Sequence, residues 1–221
     1  NGCIITSAAR IPPGTMYVTF AGFMKDIKRR NTSHYQLITC GKEGIVIWDL
    51  DPYTGEMIPA KLAADARATP NRYITSLSFS EDYEILYGAT TSGDYIIASL
   101  KAQRILKAVQ ATRMALHTIV TWNNNVILGC GDKTIKIYSP NGDFINQITF
   151  DGAVVGLSLS ADKLELLATT SFGTVARVNL STLQYILISE SHTGAVLKVV
   201  FDEGGNDRFA TVSTDGVMKV W

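Results

Sequence analysis

Asp215-Gly216-Val217-Met218-Lys219-Val220-Trp221 is a glycine-centred turn followed by an alternating run, and four earlier stretches share its layout. They are Gly44-Ile45-Val46-Ile47-Trp48, Gly93-Asp94-Tyr95-Ile96-Ile97-Ala98, Lys133-Thr134-Ile135-Lys136-Ile137-Tyr138 and Gly173-Thr174-Val175-Ala176-Arg177-Val178. The first is one residue shorter than the others. Taking the last residue of each as a marker, positions 48, 98, 138, 178 and 221 lie 50, 40, 40 and 43 residues apart. A repeating unit of four short strands occupies about 40–45 residues, with surplus length going into loops.

Two further apolar runs precede each of these stretches. Leu77 and Phe79, and in a later repeat Leu197, Val199 and Phe201, alternate with their neighbours at period two, as in a half-buried strand. Ile85-Leu86-Tyr87 and Val126-Ile127-Leu128 are apolar throughout, as in strands covered on both faces. Asn141-Gly142 and Asp215-Gly216 supply residues that tolerate positive φ in tight hairpins. No stretch carries helical periodicity. The chain is therefore expected to be all-β, a β-propeller of about five four-stranded blades. The blades are placed at about 17–60, 73–110, 114–150, 153–190 and 194–221. The last repeat lacks a fourth run, and residues 1–16, with Cys3-Ile4-Ile5-Thr6-Ser7-Ala8-Ala9, are a candidate outer strand of a preceding or closing blade. Both ends suggest a segment of a larger propeller protein, seven-bladed or tandem.

Composition narrows the function. Lys plus Arg equals Asp plus Glu at 20 each, which leaves no broad basic field for nucleic acid. No apolar run approaches the roughly 18 residues of a spanning helix, so no membrane partner is expected. Cys3, Cys40 and Cys130 are widely spaced without a Cys-x-x-Cys pair, and read as reduced thiols of a cytoplasmic protein. His34, His117 and His192 fall in different repeats without ligand-spaced neighbours, so neither a metal nor catalysis is expected of them. The glycines come at repeat spacing and mark turns, and no phosphate-binding loop or nucleophile motif is present. No cofactor and no small-molecule substrate follow from this sequence.

The closing residues carry a family resemblance. Trp48-Asp49, and Asp215 through Trp221 with Ser191-His192-Thr193-Gly194 before them, resemble the WD repeats of WD40-type β-propellers. The resemblance implies that His192, Thr211 or Ser213, Asp215 and Trp221 form a buried hydrogen-bonded set of structural purpose, with Trp48 and Asp49 the corresponding marks of the first repeat. Ala98, Tyr138 and Val178 stand where the tryptophan would be, and Lys133 replaces the turn glycine. Residues 35–50, 86–94, 126–131 and 208–213 are similar to axonemal WD-repeat proteins in particular. That likeness implies a non-catalytic scaffold for protein–protein interaction in the cilium or flagellum, with tubulin of the doublet microtubule and other axonemal proteins as partners. Lys25, Lys28, Arg29 and Arg30, the one dense basic cluster, are the candidate contact with such an acidic partner. The proline-bearing stretch 51–72 reads as an extended insertion and a second candidate contact. A soluble adaptor in signalling, RNA processing or ubiquitin ligation is the alternative, and a propeller enzyme is a third reading.

Overall fold

A computed structural model describes residues 18–23, 35–41, 44–51, 53–62, 73–188, 191–202 and 208–221. Nineteen strands among them form five antiparallel sheets, each built from strands consecutive in sequence. Blade 1 holds β1 (Val18–Phe23), β2 (Tyr35–Gly41), β3 (Gly44–Leu50) and β4 (Met57–Lys61). Blade 2 holds β5 (Ile74–Phe79), β6 (Ile85–Thr90), β7 (Asp94–Ser99) and β8 (Arg104–Gln110). Blade 3 holds β9 (Leu116–Trp122), β10 (Asn125–Cys130), β11 (Thr134–Tyr138) and β12 (Phe144–Thr149). Blade 4 holds β13 (Val154–Leu159), β14 (Glu165–Thr170), β15 (Val175–Asn179) and β16 (Tyr185–Leu187). Blade 5 has three strands among the described residues, β17 (Val196–Phe201), β18 (Phe209–Ser213) and β19 (Met218–Val220). The molecule is an all-β, five-bladed propeller.

The stretch after Asp51 differs from the reading of it as an insertion. Its first part is β4, the outer strand of blade 1, with Pro59 opposite Trp48. A proline lacks the N–H that an inner strand must donate, so an outer edge is where a sheet accepts one. The shortness of the first repeat also has a local cause. Gly41 pairs with Gly44, with two residues between them in sequence, whereas Ser213 N donates to Val217 O across three residues in blade 5. Trp48 nevertheless faces Leu37 just as Trp221 faces Phe209, so the first repeat is shorter between its strands and the register survives.

Blades pack face to face, and four apolar clusters fill the junctions. Ile127, Ile135 and Ile137 of blade 3, for example, meet Leu166, Ala168 and Val178 of blade 4. Middle strands are buried from both sides, which explains runs such as Val126-Ile127-Leu128. Outer strands face solvent. The first strands of blades 2 to 5 lie against one another and are stitched by side chains: Thr75 Oγ1 donates to Leu116 O at 2.7 Å, and Phe201 N donates to Ser158 Oγ at 3.1 Å. Every blade carries a register shift near the start of its first strand. Such a bulge adds local twist.

Two turns between first and second strands are built alike. Ser80 Oγ donates to Asp82 and receives Ile85 N, and Ser160 Oγ donates to Asp162 and receives Glu165 N. Tyr83 and Lys163 take positive φ at matching places. The Lys163 ammonium pairs with Glu81 of blade 2, reaching past blade 3, whose Trp122 Nε1 donates to Lys163 O at 2.8 Å.

Candidate functional site

The densest side-chain hydrogen bonding of the sequence-nominated residues lies in blade 5, at the turn from β18 to β19 and the loop before β17. Asp215 sits in that turn, where Gly216 adopts φ of +79°. Its Oδ1 accepts from Val217 N at 2.9 Å. Its Oδ2 accepts from Thr193 N at 3.2 Å and lies 2.9 Å from His192 Nδ1. His192 Nε2 is 2.8 Å from Thr211 Oγ1, which also accepts Trp221 Nε1 at 3.0 Å. With Asp215 accepting at Nδ1 and the tryptophan donating to Thr211, the neutral imidazole carries its proton on Nδ1 and the Thr211 hydroxyl donates to Nε2. The imidazole is fully shielded from solvent.

Partial burial pushes the Asp215 carboxyl upward, but hydrogen bonds from Val217 N–H, His192 and Thr193 N–H outweigh it and hold the group at about 2. Asp215 is thus an anion at neutral pH, suited to gathering donors from the turn and the loop. The arrangement offers no bound substrate a free nucleophile, since both imidazole nitrogens are engaged within the blade. Ser213 stands beside the set: its Oγ accepts Asp215 N at 3.2 Å, and the hydroxyl between histidine and tryptophan is that of Thr211. Trp48 and Asp49 lie in blade 1. Trp48 is buried, and its Nε1 donates to Thr39 Oγ1 at 2.8 Å, repeating the Trp221–Thr211 bond at the matching register. Asp49 faces Gln36 and Ile58 across the sheet. Lys25, Lys28, Arg29 and Arg30 lie outside the described residues.

Blade 3 holds a set that the sequence reading did not single out. Asp132 accepts from the Thr134 hydroxyl and amide and, at 3.0 Å, from Lys136 Nζ, which also donates to Ala111 O at 2.9 Å. Burial raises the Asp132 carboxyl, while the side chains of Thr134, Thr112 and Lys136 prevail and lower it. Lys219 occupies the equivalent place in blade 5 and donates to Ser191 O. In both blades a lysine of the third strand ties the sheet to the loop leading into the blade. The signal was present in the alternation Ile135-Lys136-Ile137 and Met218-Lys219-Val220, where a lysine falls on the face opposite its apolar neighbours. Lys133, in the turn place usually held by glycine, adopts φ of +69°.

Cys40 and Cys130 are buried, and burial pushes the Cys130 thiol up to about 11. His117, on β9, is lowered by burial. No group of three or more His, Cys, Asp or Glu able to hold a metal occurs among the described residues.

Radially repeated antiparallel sheets define a β-propeller, and the Asp215–His192–Thr211–Trp221 bonds hold its fifth blade together. Comparison with known proteins gives similarity to cilia- and flagella-associated protein 52. The cattle protein is 23% identical over 189 residues and the pig protein 24% over 190, each match covering 83% of this chain. WD repeat-containing protein 90 of mouse is 32% identical over 71 residues, covering 32% of this chain and 4% of its own. The chain spans about 30% of the length of the cilia- and flagella-associated relatives. No family model matches it. Among solved structures, the computationally designed Ika4 protein superposes with a TM-score of 0.63 at 19% identity, covering 74% of this chain and 98% of that one. That likeness concerns the fold alone.

Proposed function

We propose that the chain is a non-catalytic WD-repeat scaffold of ciliary or flagellar axonemes, holding protein partners in register along the microtubule. The observation that carries this reading is the similarity to cilia- and flagella-associated protein 52, which runs through 83% of the chain. Propeller architecture supports it physically, because a rigid stack of sheets presents loops at fixed spacing. The Asp215–His192–Thr211–Trp221 set serves structure in this proposal: it ties turn, loop and third strand of blade 5 together. Trp48 with Thr39 does part of the same in blade 1. Lys25, Lys28, Arg29 and Arg30 are proposed to meet an acidic partner such as tubulin of the doublet microtubule. The compartment is then the cytoplasm and its axoneme.

Fractionation of cilia from cells expressing the tagged full-length protein tests the proposal. Retention with axonemes through detergent and high salt is the expected result. Release into the soluble fraction would remove the axonemal reading and leave a soluble adaptor. Turnover of any substrate, abolished by changing His192, would remove the non-catalytic one.

A further inference from the structure

Charge is unevenly distributed along the chain. Residues 95–131 hold Lys101, Arg104, Lys107 and Arg113 and no aspartate or glutamate, in a sequence whose acids and bases balance overall. Three of these cations come together at the outer strand of blade 2. Lys101 lies in the turn leading into β8, and Arg104 and Lys107 lie on β8 itself. All three are exposed, and Leu106 among them is 46% exposed. Arg104 and Lys107 stand three residues apart on the strand, roughly 10 Å along its axis. β8 is the last strand of its sheet, so its outward edge has no strand beside it among the described residues.

Among the described residues none of these cations meets a carboxylate, whereas Lys136, Lys163, Arg177 and Arg208 each do. Lys107 Nζ donates to Asn141 O of blade 3, a bond that steadies the ammonium and leaves its charge uncompensated. Of the acids on the β5–β6 turn of the same blade, Glu81 pairs with Lys163, and Asp82 accepts from Ser80 Oγ and Glu84 N. Cations on an outer strand can also guard it against pairing with another sheet, as a bulge can. That need does not account for β8. Its register shift leaves Leu106 without an opposite residue, and β12 of blade 3 has a register shift of its own with no charged residue in Phe144–Thr149. One outer edge is thus guarded without charge, and the cations of β8 exceed what that purpose requires.

We propose that β8 and the turn before it dock an acidic, extended segment of a partner protein, whose carboxylates meet Lys101, Arg104 and Lys107 and whose apolar side chain covers Leu106. The inference rests on the reading of the chain as a protein-binding scaffold and adds to it a surface and a partner chemistry. A protein segment fits this strand better than nucleic acid does, because residues 101–110 include no aromatic on which a base could stack. Exposed charge pairs are individually weak and screened by salt, so the affinity is modest and falls with ionic strength.

Fluorescence anisotropy tests this with a labelled peptide of about twelve residues alternating glutamate and valine, long enough to span β8. The chain is titrated into it up to about 500 µM, a range suited to weak contacts. Binding is expected at about 50 mM salt, and at least about tenfold weaker at about 300 mM. The same peptide with glutamine for glutamate is expected not to bind. Lys101→Glu with Arg104→Glu alters two exposed side chains of the surface and is expected to weaken binding at least about tenfold. Lys133→Glu with Lys198→Glu, an equal change of net charge on blades 3 and 5, is expected to alter it less than about twofold. Circular dichroism melting verifies each fold, and if the blade 2 variant does not fold, Arg104→Gln with Lys107→Gln decides. Failure of the wild-type chain to bind the glutamate peptide overturns the proposal. Equal losses in the two double variants overturn it too, since they would mean attraction by net charge alone. So does tighter binding of a thymidine oligonucleotide of the same charge, which would make the surface a nucleic-acid site. Axonemal fractionation reads the ciliary proposal separately: retention without peptide binding removes this docking edge alone, and peptide binding without retention removes the axonemal reading alone.

Discussion

Thr211 is fully buried between two side chains that both require its oxygen: Trp221 donates to it, and it donates to His192. Replacing it by valine keeps the shape and strands an indole N–H and an imidazole nitrogen away from water. Each buried unsatisfied group costs about 1–3 kcal/mol, so Thr211→Val is expected to lower stability by about 2 kcal/mol or more. Urea unfolding of the purified chain measures this, and a change within about 0.5 kcal/mol, as for an ordinary surface substitution, would contradict it. Asp215 adds a pH dependence. Its carboxyl stands at about 2 in the fold, against 3.8 for the free group. A carboxyl lowered on folding stabilises the native state above its unfolded value, and that contribution disappears as pH falls through the folded value. Stability is therefore expected to decline between about pH 4 and about pH 2, with Asp215→Asn lacking this component. Identical pH profiles for the two proteins would show that Asp215 does not contribute.

At the scale of single elements, turns of one sequence type carry different constraints. Gly173 and Gly216 both adopt positive φ, at +88° and +79°. A Cβ at Gly173 would fall 2.2 Å from His192 O, because the loop entering blade 5 crosses directly over the turn and His192 N donates to Gly173 O. A Cβ at Gly216 meets nothing within 4 Å. Alanine at Gly216 should cost only the left-handed strain of about 1–2 kcal/mol, whereas alanine at Gly173 adds a backbone clash and should cost about 3 kcal/mol or more. Equal thermal shifts in the two variants would argue against that loop crossing. Much of this level was readable in advance: the alternating third runs became third strands, and the glycines became turns. The bulges were not readable, because Thr75, His117 and Leu197 fall at corresponding places and share no chemistry. Nor was β4, whose Met57-Ile58-Pro59-Ala60-Lys61 contains the residue that argues most strongly against a strand. The His192–Asp215 pair was legible through family resemblance, whereas Lys136 with Asp132 matched no familiar pattern and declared itself only as a lysine alternating with apolar residues.

Across the whole molecule, stability should be graded. Blades 2, 3 and 4 are covered on both faces and have four strands, while blade 5 has three among the described residues and leaves Val212, Met218 and Val220 exposed. Local opening requires least where least apolar surface is buried. Native-state hydrogen exchange in dilute solution is expected to show β17 to β19 exchanging on the order of 100-fold faster than β9 to β11. Uniform protection across all sheets would mean that the blades open only together. One contact works against such blade-by-blade behaviour. The Glu81–Lys163 pair joins blades that do not touch face to face, spanning the arc of blade 3 as a chord spans a curve. Both partners are about half exposed, so the bond is weak and open to screening by ions. Its place gives it leverage: spreading either junction it bridges lengthens the chord. Curvature in the middle of the array therefore has a component that ionic strength can relax, whereas the stacking of the sheets, which rests on apolar burial, does not loosen with it.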